Sequence, residues 1–282
     1  MFGDCNEQSD EIEDGSVDLV VTDPPYNAKK GFPNDNLPND EFLSFTRRWG
    51  SMVARKLKDT GSFYCFINDN YYIPFRNIFD ELLTYRRTII WHFEGFFNNP
   101  GDNYDSRYEY VLFYTKGDDY TFNKIKEPPS NSYLERWSPC ADKNGDIPWD
   151  KLSPTEKVRY NRENYEKNPK NIHRGLYQGN CIYCPRPRYK DHPTQKPERL
   201  VSIFIEESSI KGDLVFDPFC GTGTTVIVSK KLGRVGMGFE ILEKYFDIGK
   251  RILSETFEGE ELKNTLWKRD EKKGITRLDQ FT

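Results

Sequence analysis

Two short clusters in this 282-residue chain combine residue types that can bind and react. Asp23-Pro24-Pro25-Tyr26 follows the apolar run Leu19-Val20-Val21-Thr22. Proline has no N–H, so this turn leaves carbonyl oxygens free, and a carboxylate beside a free carbonyl can accept both hydrogens of an exocyclic amino group. Such acceptors would orient the lone pair of the amine. Tyr26 adds a flat face on which a base can stack, a contact worth roughly 1–3 kcal/mol. Read without a ligand, the same residues are a strand closed by proline with a tyrosine at its tip. The second cluster, Asp217-Pro218-Phe219-Cys220-Gly221-Thr222-Gly223-Thr224-Thr225, also follows an apolar run and opens a helical pattern. Its glycines allow a sharp turn and a close backbone approach to a ligand, although G-x-G after a strand is also the mark of an ordinary turn. Glu240 lies 19 residues beyond Gly221, at the end of the next apolar run. An acid placed there can accept hydrogen bonds from both hydroxyls of a ribose, so the pair implies a nucleoside site. The match to the dinucleotide fingerprint is partial, because Val226 replaces the third glycine and no lysine follows as in a P-loop.

The elements that must position these clusters alternate between strand and helix. Leu19 to Thr22 reads as a buried strand, and Phe42, Phe45, Trp49, Val53 and Leu57 recur at helical spacing with Gly61 as the break. Ser62–Ile67 reads as the next strand, Ile73–Leu83 as a helix, and Arg87–Trp91 and Tyr108–Tyr114 as two further strands. From about Gly117 to Tyr189 the pattern lapses into Pro, Asn, Lys and Tyr, too long for a loop in a compact domain, so it reads as an inserted module. Regularity returns with a helix from Pro197, a strand at Leu214–Phe216, a helix at Thr224–Leu232, a strand at Val235–Phe239 and a helix at Tyr245–Leu253. This alternation predicts an α/β, doubly wound, mostly parallel sheet with helices on both faces and with the last strand of the first half, Tyr108–Tyr114, antiparallel. The boundaries expected are 1–116 and 191–256 for the two halves of one domain, 117–190 for the insert and 257–282 for a charged tail.

Composition narrows the function classes. Charged residues make up 30% and mean hydropathy is −0.81, so no stretch has the composition of a membrane span. The acidic N-terminus lacks the basic and apolar segments of a secretory signal, so a cytoplasmic chain is expected. Six cysteines are too few for a disulfide scaffold. The net charge is only −4, yet residues 1–41 hold eleven acids against two lysines, whereas residues 151–196 hold eleven Lys or Arg against four acids. Aromatic residues at 15% exceed what a core of this size needs, and stacking on bases would use the surplus.

Thr22-Asp23-Pro24-Pro25-Tyr26-Asn27, His192-Pro193-Thr194-Gln195-Lys196-Pro197 and the Asp217–Thr225 loop resemble the catalytic, cofactor-tail and cofactor-loop motifs of S-adenosylmethionine-dependent DNA amino-methyltransferases. The order, catalytic motif first and cofactor motif last around a target-recognition region, is that of the β subgroup. The resemblance covers roughly residues 2–26, 42–116 and 190–255. It implies a Rossmann-like methyltransferase fold with permuted motif order. It also implies that Asp217, Phe219, Gly221, Gly223 and Thr224 hold the methionine side of the cofactor, Glu240 its ribose, and Asp4 with Cys5 its adenine. Thr194 and Lys196 would lie near the cofactor carboxylate, and Asp23, Pro24, Pro25 and Tyr26 would receive a flipped base. Cys220 is expected only to pack, since an amino group needs no covalent cysteine intermediate. Asp rather than Ser at the head of the motif resembles the adenine-N6 enzymes more than the cytosine-N4 enzymes. Cytosine N4, and a catalytically silent DNA-binding protein with this fold, are the alternatives.

In the insert, Lys157, Arg159, Arg162, Lys170 and Arg174, with Arg186, Arg188 and Lys190 towards its end, could neutralise phosphates of double-stranded DNA. Cys181 and Cys184 form a C-x-x-C which, with Cys140 and His173, could hold a structural zinc, although ordinary buried thiols explain the same residues. A modification enzyme of this kind could pair with a restriction endonuclease and work as a monomer or homodimer.

Overall fold

The computed structural model describes residues 1–94, 104, 106–127, 176–186 and 195–257. They fall into two compact units, one built from Met1–Asn123 and from Asn180 onward, the other within Lys124–Gly179. Residues 117–123 and 180–186 therefore belong with the first unit rather than with the insert. In the second unit the described residues are a short antiparallel pair, β5 (Lys126–Glu127) with β6 (Leu176–Tyr177).

The first unit is a seven-stranded sheet in the order β7-β3-β4-β2-β1-β8-β9. Its strands are β1 (Val17–Thr22), β2 (Leu57–Ile67), β3 (Thr84–His92), β4 (Tyr108–Thr115), β7 (Cys181–Tyr183), β8 (Leu214–Asp217) and β9 (Val235–Gly238). All pairings are parallel except those of β4, which runs antiparallel to both β2 and β3. The antiparallel strand thus lies inside the sheet, and the edge is taken by β7, from the stretch that the lapse in pattern assigned to the insert. From the centre, the chain winds outward through β1, β2 and β3 on one side and through β8 and β9 on the other. β1 and β8 are neighbours, with Leu19 opposite Val215 and Val20 opposite Phe216. In an open α/β sheet, such a reversal opens a crevice beyond the carboxyl ends of the strands.

The helices are α1 (Asn39–Lys56), α2 (Tyr72–Phe79), α3 (Glu198–Ser208), α4 (Thr224–Lys231) and α5 (Glu243–Thr256). Leu57, the last residue of the helical spacing, opens β2 instead of closing α1. In α1, Asp40 and Glu41 sit in the first turn and Arg55 and Lys56 in the last, complementing the helix dipole. The β2 side chains alternate between two buried faces. Phe63 meets Trp49 and Phe79 of α1 and α2, while Tyr64 stacks between Phe113 of β4 and Phe204 of α3 at 4.5 and 4.7 Å. Burial on both faces is why this strand reads as a continuous apolar run. Much of the aromatic surplus is therefore core, with Phe42, Phe45, Trp49, Phe63, Phe75 and Phe79 in one cluster. None of the helices among the described residues is long and apolar enough to cross a membrane.

Candidate active site

Because β1 and β8 are parallel neighbours, the loops that follow them must emerge side by side, although 195 residues separate Thr22 from Asp217. The Asp217 carboxylate fastens the two strand tips together. It accepts hydrogen bonds from Thr22 Oγ1 at 2.8 Å, from Thr225 Oγ1 of α4 at 2.8 Å and from the Phe219 amide at 3.0 Å. Burial pushes its pKa up to about 7, against the pull of those donors. A single cleft opens beyond the tips, enclosing about 1460 Å³ including space open to solvent. Asp4, Cys5, Asp23, Pro24, Pro25, Tyr26, Lys196, Asp217, Phe219, Gly221, Thr224 and Glu240 all line it.

One end of the cleft suits a nucleoside. Gly221 and Gly223 take positive φ values of 52° and 83°, which side chains other than glycine rarely adopt, and Gly223 caps α4. Glu240 is buried, and its two carboxylate oxygens accept one backbone N–H each, from Gly221 at 2.9 Å and Leu242 at 2.8 Å. Each oxygen keeps a further lone pair for an outside donor. The segment Gly3–Cys5 lies beside it through the hydrogen bond from the Gly3 amide to the Glu240 carbonyl, 2.9 Å. Cys5 is buried, and Cys220 packs its Sγ against Gly238, where an added Cβ would stand 2.9 Å away. These residues fit an S-adenosyl nucleoside in hydrogen-bonding capacity and backbone shape.

The other end holds a network of four charges. Tyr26 Oη donates to Asp23 Oδ1 at 2.5 Å, and Lys196 Nζ donates to Asp23 Oδ2 at 2.6 Å. Lys196 also lies 3.3 Å from Glu109 Oε2, and Arg186 pairs with Glu109 Oε1. Burial works to lower the Lys196 pKa, but the two carboxylates outweigh it and hold the ammonium above its ordinary value. The ammonium lies 5.5, 5.1 and 5.9 Å from the ring centres of Tyr26, Phe66 and Trp91. Lys196, which the motif resemblance placed near the cofactor carboxylate, is engaged by Asp23 and Glu109.

Arg186 is likewise turned inward, with its guanidinium carbon 4.2 Å from the ring centre of Phe93, so it differs from an outward phosphate contact. Lys157, Arg159, Arg162, Lys170, Arg174, Arg188, Lys190 and Thr194 lie outside the described residues, as do Cys140 and His173. Cys181 is exposed on the edge strand whereas Cys184 is buried, and no group of three metal-ligating side chains occurs among the described residues. Sequence reasoning missed Glu109, Phe66 and Trp91. It also missed the loop after Tyr26, where Asp35 accepts the Ala28 and Lys30 amides at 2.8 and 2.7 Å and folds that loop against the cleft. The available signal for Glu109 was a lone carboxylate near the start of an otherwise apolar and aromatic strand.

A family model described as DNA methylase, of the N6 and N4 type, matches residues 17–251. The chain belongs to the N6/N4 DNA methylase family. It is 33% identical to the type II methyltransferase M.BglII of Bacillus subtilis over 99% of this chain and 76% of that one. It is 31% identical to the type II methyltransferase M.HpaI of Haemophilus parainfluenzae (88% and 71%), and 32% identical to the DNA adenine methyltransferase YhdJ of Escherichia coli (90% and 81%). The fold matches that of a Thermus thermophilus protein solved with S-adenosyl-L-methionine, at a TM-score of 0.60 and 22% identity over 92% of this chain and 94% of that one. It also matches that of the cytosine-N4-specific PvuII DNA methyltransferase, at 0.60 and 18% over 90% and 91%. This methylase is therefore S-adenosyl-L-methionine-dependent and acts on DNA.

Proposed function

We propose that the methylase modifies the N6 amino group of an adenine flipped out of a short duplex sequence, as the modification enzyme of a restriction system. The observation that carries this reading is the shared cleft, which holds the Asp23–Tyr26 turn and the Gly221–Glu240 nucleoside site together. Asp4, Cys5, Phe219, Gly221, Gly223 and Glu240 would hold the cofactor, which supplies an electrophilic methyl on a sulfonium that leaves as a thioether. Asp23 and the Pro24 carbonyl would accept the two hydrogens of the target amine and turn its lone pair towards the methyl. The Asp23 charge would then stabilise the positive charge that develops on nitrogen before a proton is lost. Flipping is required because a stacked, paired base hides its amine, at a cost of a few kcal/mol that stacking and hydrogen bonds must offset.

The Asp-Pro-Pro-Tyr sequence and the similarity to an adenine methyltransferase support adenine. A cytosine-N4-specific neighbour in fold keeps the other base as the second reading. The basic stretch of residues 151–196 would bind the duplex backbone. The relatives named as type II methyltransferases support a partner endonuclease, with this chain acting in the cytoplasm as a monomer or homodimer.

The test is incubation with DNA and labelled cofactor, followed by digestion to nucleosides and mass spectrometry. N6-methyladenine is expected, N4-methylcytosine would transfer the reading to the other base, and no label in DNA would overturn it. Asp23→Ala is expected to abolish transfer while cofactor affinity stays within about twofold, and retained transfer would contradict the role of Asp23.

A further inference from the structure

Each oxygen of Asp23 already accepts one donor in this structure, Oδ1 the Tyr26 hydroxyl and Oδ2 the Lys196 ammonium. A target amine needs an acceptor on that carboxylate, and an ammonium held against it neutralises the charge meant for the developing cation. Each oxygen keeps a lone pair that the amine could use, as at Glu240, so the conflict is one of charge, and the donor that must give way is the ammonium. The Tyr26 hydroxyl is neutral, lies only three residues from Asp23, and has no other hydrogen-bond partner among the described residues. Lys196 has a second carboxylate within reach. Glu109 Oε2 is buried, lies 3.3 Å from the ammonium and makes no hydrogen bond among the described residues. Its partner oxygen is pinned by Arg186, which fixes the carboxylate in place.

We infer that Glu109 is a positioning residue that takes the Lys196 ammonium from Asp23 when the target amine arrives. This rests on the reading of Asp23 given above. The move is a pivot between two carboxylates that the ammonium already touches, beneath the rings of Tyr26, Phe66 and Trp91, so the ammonium stays paired throughout and only Asp23 gives up its counter-charge. Among the described residues, the charged groups facing Lys196 are Asp23 from the turn after β1, Glu109 from β4 and Arg186 from the segment after β7. Arg186 repels the ammonium and bars movement beyond Glu109. Asp23 is thereby stored as a neutral pair in the empty enzyme and freed as a charged acceptor only when a base replaces the lysine. The antiparallel direction of β4 makes this arrangement available, because it brings the start of that strand, opposite Trp91 in register, to the carboxyl edge of the parallel strands.

The test is a double-mutant cycle on the full chain with Glu109→Gln and Lys196→Met, reading kcat for methyl transfer to DNA, cofactor affinity by calorimetry and thermal unfolding. Glu109→Gln is expected to lower kcat on the order of 10–100-fold in the lysine background, with cofactor Kd within about twofold. In the Lys196→Met background the same exchange should change kcat by less than about twofold, since no ammonium remains to be drawn away. A merely structural role for Glu109, through Arg186 or the fold, would give equal losses in both backgrounds and would overturn the inference. So would an unaltered kcat in Glu109→Gln when the wild-type chain transfers methyl. A wild-type chain that moves no label to DNA would overturn the underlying reading as well. Should Glu109→Gln fail to fold, Glu109→Asp, which draws the charge back by one carbon, supports the same comparison.

Discussion

The ionisable groups of the cleft owe their states to what surrounds them. Asp217 accepts three hydrogen bonds, yet burial dominates and lifts its pKa from 3.8 to about 7. With the folded value raised, the folded chain keeps a proton that the unfolded chain has lost between those two pH values. Stability from this group is therefore present below about pH 4, falls as pH rises towards 7, and is level above. Asp217→Asn should remove that slope. Its amide oxygen can still accept from Thr22 Oγ1 and the Phe219 amide, and its NH₂ can donate to Thr225 Oγ1, whose own hydrogen can turn to the Val21 carbonyl, 3.3 Å away. Unfolding temperatures at pH 5 and pH 8 should converge in this variant relative to wild type. A slope identical to wild type would show that Asp217 is not the group titrating. None of this was legible in the residue string, where Asp217 is simply the first letter of a glycine-rich loop.

At the scale of elements, close approach between β9 and its neighbours carries the nucleoside end of the site. A Cβ on Gly236 would stand 2.6 Å from the Val226 carbonyl of α4, and one on Gly238 would stand 2.6 Å from Cys220 Cβ in the glycine loop. Gly236→Ala should push α4 from the sheet and cost about 1–3 kcal/mol, read as a lower unfolding temperature. Gly238→Ala presses on the loop that lines the cleft, so it should in addition shrink the rise in unfolding temperature that the cofactor gives. Equal cofactor effects in the two variants would count against this division. The strand and helix order was legible because apolar periodicity reports burial, and both halves showed it clearly. The antiparallel direction of Tyr108–Tyr114 was expected, but its place between β2 and β3 was not, since that depends on strands far away in the chain. The small strand β7 was missed for a related reason: three residues carry no period, and only an exposed sheet edge gives them a partner.

For the whole molecule, the second unit is the part to separate from the chemistry. β5 and β6 pair antiparallel with Lys126 opposite Tyr177, so the two ends of this unit lie side by side and a short turn can replace residues 124–179. On the proposed reading, that shortened chain should keep cofactor affinity and lose duplex affinity, measured by calorimetry and by fluorescence anisotropy. In the full chain, changing Lys157, Arg159, Arg162 and Lys170 to Glu should weaken duplex binding and flatten its salt dependence, because fewer counterions are released. Binding that ignores both changes would move the DNA contacts elsewhere.

The residue string by itself determined the chemistry on offer, an acceptor turn and a glycine-rich nucleoside loop with its acid, together with the α/β alternation that carries them. Those are local properties, since motif spacing and burial period are written in consecutive residues. Only the tertiary structure decided that the two loops share one cleft, and that Lys196 serves the acceptor carboxylate beside a Glu109 no motif had marked. Both follow from the pairing of β1 with β8 and from the reversed direction of β4, and strand pairing is set by contacts between residues far apart in the chain.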